Sequence, residues 1–229
     1  MKAWVIDPHV VSVSSRGFVA VANQTERSVS LLELNRRGEL NQLRTNIPTD
    51  NMVPRTLAWR GHTLFVALDA PSPLEDVIRT FRVVRRVTTE DTNEEPDATS
   101  ATKVYRQQSA ERPGWTVEQR GDTPAGVFLT DLEAFDHSVV AVTANLNNPA
   151  DPTAARNEVR VYRIGEGTVL TLDASVQTGD FPPSFKQVST ARAQGPNDQH
   201  VIVTEFQAGW LRSIIYNRGD DDDEEEDED

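Results

Sequence analysis

A short hydrophobic phrase recurs four times along the chain, each time as an apolar strand, a polar loop and a second strand with alternating side chains. The copies read GFVAVANQTERSVSLLEL from Gly17, HTLFVALDAPSPLEDVIRTFRV from His62, HSVVAVTANLNNPADPTAARNEVRVYRI from His137 and HVIVTEFQAGWLRSIIYN from His200. Supersecondary units that repeat every several tens of residues are typical of propellers and solenoids. The repeat therefore predicts the fold class, whereas no motif in the chain identifies a reaction.

Each repeat divides into short strands joined by tight turns. The first gives HVVSVSS, FVAVAN, SVSLLEL and LNQLRTNI; the second gives RTLAWRG, TLFVALD, VIRTFRVV and WTVEQRG. The third gives VFLTDLEAF, SVVAVTAN, EVRVYRI and VLTLDASV, and the fourth gives only FKQVSTARA, HVIVTEF and WLRSIIYN. Four antiparallel strands with short links make a propeller blade. The sequence predicts an all-β domain over residues 1–218, a β-propeller of about four four-stranded antiparallel blades.

The N-terminal segment MKAWVID precedes a first blade that is already complete, while the fourth blade lacks one strand. We expect this segment to complete the last blade and to close a small ring. Closure would remove two exposed sheet edges, which otherwise favour aggregation. An open arc of blades and a part of a longer propeller are the alternatives.

Two polar segments are predicted to be disordered. The net charge of −13 arises mostly from Asp220–Asp229, ten consecutive acidic residues; without them the chain has 26 acidic and 23 basic side chains. Residues 219–229 are therefore predicted to form a disordered acidic tail, and residues 86–114 a mobile insert. A tail of this charge repels phosphate, which disfavours a nucleic-acid ligand. It either solubilises the chain or attracts a basic protein partner.

The composition also limits the chemistry and the expected location. The chain has no cysteine, so it forms neither disulfides nor thiolate metal sites. The segment MKAWVIDPHVV lacks the apolar stretch of a secretory signal, and no window reaches the roughly 18 apolar residues of a membrane span. We therefore expect a cytoplasmic protein with no membrane partner.

The stretch from Pro8 to Leu40 resembles a blade of the lactonase-type seven-bladed propellers, which include bacterial 6-phosphogluconolactonases and fungal carboxymuconate cyclases. The residues that fit the family pattern are Pro8, His9, Ser14, Gly17, Val21, Ala22, Asn23, Ser28, Val29 and Ser30. The segment VPRTLAW from Val53 is similar to the start of the next blade, with Thr56 in the place of the family's histidine. The resemblance covers about 60 residues and implies a propeller fold, with lactone hydrolysis as the activity of some family members.

Polar residues at the ends of the second strands are the candidate ligand-binding site. In the four blades these are Asn23, Asp69, Asn145 (or Ala144, depending on the register) and Glu205, and Arg55 begins the inner strand of the second blade. At the mouth of the axis they could bind a hydroxylated or anionic molecule such as a sugar-like ligand, or Ca²⁺ through oxygen ligands. Neighbouring carboxylates could raise one pKa and provide a general base. Asn and Asp are also ordinary turn residues at such positions.

Three histidines, His62, His137 and His200, are each predicted to lie in the turn between the first and second strands of a blade. A three-histidine metal site is conceivable on that face, but turn residues that repeat with the blade are more ordinary. We assign no metal site and no catalytic residue, and we predict no cofactor. The preferred hypothesis is a non-enzymatic scaffold that binds a protein through its loops and its acidic tail. The alternative is a lactone hydrolase or small-molecule binder at the axial mouth.

Overall fold

Four antiparallel sheets follow one another along the chain, which gives the propeller-like all-β fold that the repeat predicts. The computed structural model describes residues 8–71, 75–85, 103–105, 115–135, 137–146, 155–180, 185–192, 198–205 and 210–217. Within these residues the only helical segment is a short 3-10 turn, Glu166–Thr168. None of their helices is long and apolar enough to cross a lipid bilayer.

Sheets 1 and 2 contain the first nine strands. Sheet 1 consists of β1 (Pro8–Val13), β2 (Phe18–Asn23), β3 (Ser28–Leu34) and β4 (Leu40–Pro48). Sheet 2 consists of β5 (Val53–Arg60), β6 (Thr63–Asp69), β7 (Val77–Arg85), β8 (Lys103–Tyr105) and β9 (Trp115–Pro124), with β8 at the edge beside β9. Strand β8 is the described part of the segment 86–114, which the sequence predicts to be a mobile insert.

Sheets 3 and 4 contain the remaining strands. Sheet 3 consists of β10 (Val127–Phe135), β11 (Ser138–Leu146), β12 (Ala155–Ile164) and β13 (Leu170–Asp180). Sheet 4 consists of β14 (Phe185–Arg192), β15 (Asp198–Glu205) and β16 (Trp210–Asn217). The predicted strands are therefore present in the predicted order. The expectation that Met1–Asp7 completes sheet 4 lies outside the described residues, as does the acidic tail.

The first strand of each sheet lies beside the first strand of the next: β1 contacts β5, β5 contacts β10 and β10 contacts β14. Neighbouring sheets thus pack face to face, and alternating side chains point to opposite faces. We call the face packed on the following sheet the trailing face, and the opposite face the leading face. The trailing face of sheet 1, with Phe18, Ala20 and Ala22, packs on the leading face of sheet 2, with Leu64 and Val66.

The second interface repeats this arrangement. Phe65 and Ala67 on the trailing face of sheet 2 pack with Val139, Ala141 and Tyr162 on the leading face of sheet 3. All five side chains are fully or almost fully buried. The continuous apolar runs of these second strands are thus explained by burial on both faces.

One residue pair between the first and second strands holds the same place in all four sheets. We call it the matched pair and count equivalent positions from it. The matched pairs are Val11–Val21, Leu57–Val66, Leu132–Ala141 and Val188–Val203. In sheets 1, 2 and 4 this pair lies one step from a register shift near the start of the first strand. In sheets 2 and 3 it lies three residues before the end of the first strand.

An aromatic cluster joins sheets 1 and 2 at the end opposite the second-strand ends. The ring of Phe18 stacks on Trp59, with centroids 5.9 Å apart, and meets Trp115 edge-on at 5.1 Å. His62 lies against both Phe18 and Trp115. Trp59 also donates its indole N–H to the backbone oxygen of Ser12, 3.2 Å away. These contacts place Trp59 and Trp115 between two sheets.

Candidate functional site

The candidate site lies at the end of the sheets where the second strands end and the first strands begin. Each first strand carries a register shift there, between Pro8 and Val10, Pro54 and Thr56, Val127 and Asp131, and Phe185 and Gln187. In sheets 1, 2 and 4 the extra residue is basic: His9, Arg55 and Lys186. A β-bulge bends the strand and changes the direction of a side chain. The fold therefore repeats a basic bulge residue at one end of three first strands.

Arg55 and Asp69 form an ion pair at this end of sheet 2. Both Nε and Nη2 of Arg55 donate to Oδ2 of Asp69, with Nε 3.0 Å away. Both side chains are partly exposed to solvent. The structure thus brings together two of the five residues that the sequence selects, and each neutralises the other.

Asn23 lies at the end of β2 but does not face this ion pair. Two residues after the matched pair, the second strands carry Asn23, Leu68, Thr143 and Glu205. Asp69 comes one residue later than Leu68 and so belongs to the other face of its sheet. The amide of Asn23 is buried, and its Nδ2 donates to the hydroxyls of Ser28 and Ser30 at 3.2 and 3.1 Å.

The same register places the remaining candidates. Asn145 of β11 lies opposite Arg156 of β12, and its neighbour Ala144 lies opposite Val127 at the bulge of β10. Ala144 rather than Asn145 therefore holds the position that corresponds to Asp69. Glu205 lies opposite Phe185 at the bulge of β14. The four residues thus share one end of the sheets but not one register position.

Asp76 is a buried carboxylate beside the ion pair that sequence patterns did not reveal. It lies just before β7 and is only 3% exposed. Its Oδ1 accepts the N–H of Ala70 at 2.9 Å, and its Oδ2 accepts the N–H of Leu129 in sheet 3 at 2.7 Å. Burial raises the pKa of Asp76, the two backbone donors lower it, and Asp69 raises it further while Arg55 lowers it. The group joins sheet 2 to sheet 3.

Thr56 and the histidines have ordinary structural surroundings. Thr56, at the position of the family's histidine, donates its hydroxyl to Oδ1 of Asp131 in sheet 3, 3.2 Å away. His62 and His137 lie in the turns that precede β6 and β11, and Nη2 of Arg60 lies 3.0 Å from Nδ1 of His137. His200 lies inside β15 opposite Ala191, so the prediction that it occupies a turn is wrong. In the described part of the chain no three potential ligand residues lie close enough to hold a metal ion.

A groove opens at the same end, between the β2–β3 turn and the β4–β5 turn. It has a volume of about 780 Å³ and is lined by Thr25, Glu26, Arg27, Pro48, Asp50 and Asn51. Arg27 donates to the side-chain oxygen of Asn51 at 3.3 Å. Arg27, Asp50 and Asn51 all have left-handed backbone angles, with φ of 46°, 53° and 70°. The groove is therefore polar and built on two tight turns.

Arg79, in β7, holds the β4–β5 turn through an ion pair with Asp50. Its guanidinium is almost fully buried; Nε and Nη2 bind the two oxygens of Asp122 at 2.7 Å each, and Nη2 also contacts Oδ2 of Asp50 at 3.0 Å. Burial alone would lower the pKa of Arg79, but hydrogen bonds and charge from Asp122 and Asp50 outweigh that effect and raise it. The arginine stays charged, and its Nη1 is buried without a hydrogen-bond partner among the described residues. Asp50 thus has a fixed position in the groove.

No protein-family model matches the chain, and no curated protein sequence matches it. Among solved structures, the chain is similar to a protein from Lactobacillus plantarum. The two are 13% identical, and the match covers 90% of this chain and 70% of that one with a TM-score of 0.25. A TM-score this low carries no functional argument, so function has to be inferred from the residues of the chain itself.

Proposed function

We propose that the chain is a non-enzymatic propeller that binds a basic protein segment in the groove between the β2–β3 and β4–β5 turns. The observation that carries this proposal is the fixed position of one groove carboxylate. Asp50 is held by the buried Arg79, and beside it the amide oxygen of Asn51 accepts a hydrogen bond from Arg27. Side chains that are ordered before binding lose little entropy when a partner arrives.

The groove's shape and charge support a polypeptide partner. It is open and polar, whereas sites for small molecules are usually enclosed and mostly apolar. Glu26 and Asp50 give it two carboxylates against one basic lining residue, Arg27, and the sequence has ten further acidic residues in Asp220–Asp229. Excess negative charge speeds association with a positively charged partner and makes it sensitive to salt.

A lysine-rich peptide with a fluorescent label tests this proposal by polarisation at low and at high salt. Glu26→Lys reverses one groove charge and should weaken binding by about fivefold or more, which corresponds to about 1 kcal/mol. Glu166→Lys makes the same change in an exposed turn at the other end of sheet 3 and should leave binding close to wild type. Both variants are compared in chains that lack Asp220–Asp229, so that the tail does not mask the groove. Equal binding by the two variants would exclude the groove.

A second candidate function is the binding of an anionic small molecule at the axial mouth. The basic bulge residues support it. His9, Arg55 and Lys186 occupy the bulges near the start of three of the four first strands, at one end of the fold. A sugar lactone offers hydroxyls to such a site and a phosphorylated one adds negative charge, and Ca²⁺ would suit the neighbouring carboxylates. Hydrolysis would further require a free general base, whereas both oxygens of Asp76 already accept backbone hydrogen bonds.

Thermal denaturation with sugar lactones, their phosphates and Ca²⁺ distinguishes this second function from the first. A ligand at the mouth should raise the melting temperature of the wild type, because it binds only the folded state. Arg55→Gln should reduce that shift, whereas Glu26→Lys in the groove should not. If no compound shifts the melting curve of a folded sample, the axial site is excluded while the groove proposal stands.

A further inference from the structure

The leading face of sheet 1 is an aliphatic surface. It carries Val11, Val13, Leu34 and Leu40, and each of these side chains is more than 40% exposed. Val19, Val21 and Leu32 lie between them on the same face and form a small buried cluster. Exposed aliphatic side chains grouped on one sheet face are typical of an interaction surface.

Comparison at the matched pair shows how this face differs from its equivalents. Val11, Leu57 and Leu132 hold the same position in sheets 1, 2 and 3, but Val11 is 58% exposed while Leu57 and Leu132 are 6% and 5% exposed. A preceding sheet covers Leu57 and Leu132. The leading face of sheet 1 is thus built like the other two and differs in lacking that cover.

In the described part of the chain, no extensive contact places sheet 4 of the same chain over this face. The first strands contact one another in the series β1, β5, β10, β14, and among the described strands β14 makes no comparable contact with β1. Within the residues that the structure describes, the series of first-strand contacts thus begins at β1 and ends at β14. In a repeat array each unit contacts only its neighbours, so the trailing face of the last unit suits the leading face of the first.

We propose that the leading face of sheet 1 docks against sheet 4 of a second copy of this chain. Each copy then continues the series of sheets in the other, and two copies joined at both ends form a closed ring of eight sheets. Such rings have four to eight blades, and a head-to-tail interface gives a finite assembly when its rotation closes. This inference concerns assembly and is independent of the groove.

The register identifies residues that should meet at this junction. Phe18 and Trp59 contact each other between sheets 1 and 2. His200 holds the position of Phe18, three residues before Val203 of the matched pair, and Val13 holds the position of Trp59, two residues after Val11. Val13 of one copy should therefore lie beside His200 of the other.

Sedimentation velocity over a range of protein concentrations provides the first test. The wild-type chain should show a species of twice the 25.5 kDa mass of one chain. Val11→Asp should abolish that species, because it places a charge on the apolar junction. Val169→Asp is the matched control, since Val169 is also 58% exposed but lies just before β13. Circular dichroism checks that all three proteins are folded.

Engineered cysteines provide the second test, since the chain has none of its own. Face-packed sheets lie about 10 Å apart, which is too far for a disulfide but within reach of a short bismaleimide cross-linker. The variant with both Val13→Cys and His200→Cys should form cross-linked dimers with that reagent. A mixture of the two single variants should give a mixed dimer more readily than either alone. A cross-link within one chain would show that sheet 4 closes on its own sheet 1, and a wild-type monomer at all concentrations would exclude the second copy. Either result overturns the proposal.

Discussion

The carboxylate of Asp76 in sheet 2 accepts a hydrogen bond from the backbone N–H of Leu129 in sheet 3, with 2.7 Å between the two atoms. The backbone groups of Asp76 also bind this region: its N–H donates to the oxygen of Gly126 at 2.7 Å, and its oxygen accepts from Ala125 at 2.8 Å. Asp76 therefore makes four hydrogen bonds: one to β10 of sheet 3, two to the segment that joins β9 to β10, and one to Ala70 just after β6.

Replacing this carboxylate should destabilise the fold. Asp76→Ala leaves the N–H groups of Ala70 and Leu129 without their acceptor, and each buried unpaired donor costs about 1–3 kcal/mol. We expect the free energy of unfolding in urea to fall by about 2–4 kcal/mol. Asp173→Ala, which removes a surface carboxylate paired with Arg163, should change it by less than about 1 kcal/mol. Similar losses in the two variants would contradict the linking role of Asp76.

The raised pKa of Asp76 predicts an unusual contribution to pH dependence. Burial raises this pKa above its ordinary value of 3.8, so the folded chain binds the proton more tightly than the unfolded chain. The contribution of Asp76 to stability is therefore fully present below that value and is lost as the pH rises through the folded pKa. The difference in unfolding free energy between wild type and Asp76→Asn should shrink across this interval and then become constant. A difference that grows with pH would contradict the direction of the shift.

The sequence predicted the strands well because the described side chains of the second strands in sheets 1, 2 and 3 are almost all buried, on both faces. The run Phe18–Asn23 is buried at every position, and its flanking turns contain Gly17 and the polar segment before Ser28. Such a run between turn residues identifies a strand without any tertiary information.

The site was harder to predict because a bulge changes the register by one residue. Asn23 and Asp69 look alike as the last residues of equivalent strands, yet a shift of one position sends side chains to opposite faces. Asp76 was missed because it lies in a loop and acts through backbone donors, one of which is 53 residues away. Contacts of that kind leave no local pattern in a single sequence.

One signal for the buried arginines was present in the sequence. Arg79 lies opposite Val66 of the matched pair in sheet 2, and Arg160 lies opposite its equivalent, Ala141, in sheet 3. Arg212 lies opposite Val203 in sheet 4 and so holds the same position. Each is followed two residues later by a large apolar or aromatic residue, namely Phe81, Tyr162 and Ile214. A charged residue that recurs within apolar strands indicates a paired group between sheets rather than a solvent-exposed one.

Arg160 shows how sheet 3 satisfies such an arginine. Its Nε donates to Oε2 of Glu158 at 3.0 Å, and both side chains are largely buried. Burial alone would lower the pKa of Arg160, but Tyr162 and Glu158 raise it above its ordinary value. In sheet 3 the arginine at this position pairs with Glu158 of its own strand. In sheet 2 the equivalent Arg79 pairs with two carboxylates from other segments, Asp122 and Asp50.

The N-terminal segment gives a prediction about strand completion. If Met1–Asp7 supplies the missing strand of the sheet 4 that lies beside sheet 1, in the same chain or in a second copy, its deletion removes apolar side chains worth about 1.5–3 kcal/mol each when buried. We expect a markedly lower melting temperature or aggregation. Deleting Asp220–Asp229 removes a similar length of chain without apolar residues and should leave melting nearly unchanged. Identical melting curves for the two truncations would show that the first seven residues are dispensable.

Arg79 gives the last prediction, because it serves both the fold and the groove. Arg79→Met keeps most of the side-chain volume but leaves Asp122 and Asp50 without their cation. Removing one partner of a fully buried ion pair costs about 3–5 kcal/mol. Because Asp50 and Asp122 are partly exposed and can be hydrated, we expect a smaller loss of about 2–3 kcal/mol in the free energy of unfolding. Arg163→Met, which breaks the Arg163–Asp173 pair at the surface, should cost less than about 1 kcal/mol.

The two arginine variants should also differ in binding. Without Arg79 the β4–β5 turn loses the contact that fixes Asp50, so the lysine-rich peptide should bind more weakly than it does to Arg163→Met. Combining Arg79→Met with Asp50→Asn should destabilise the chain by less than the sum of the two single changes, since the residues are in contact. Additive losses, together with unchanged peptide binding, would show that Arg79 supports the sheet alone and has no part in positioning the groove.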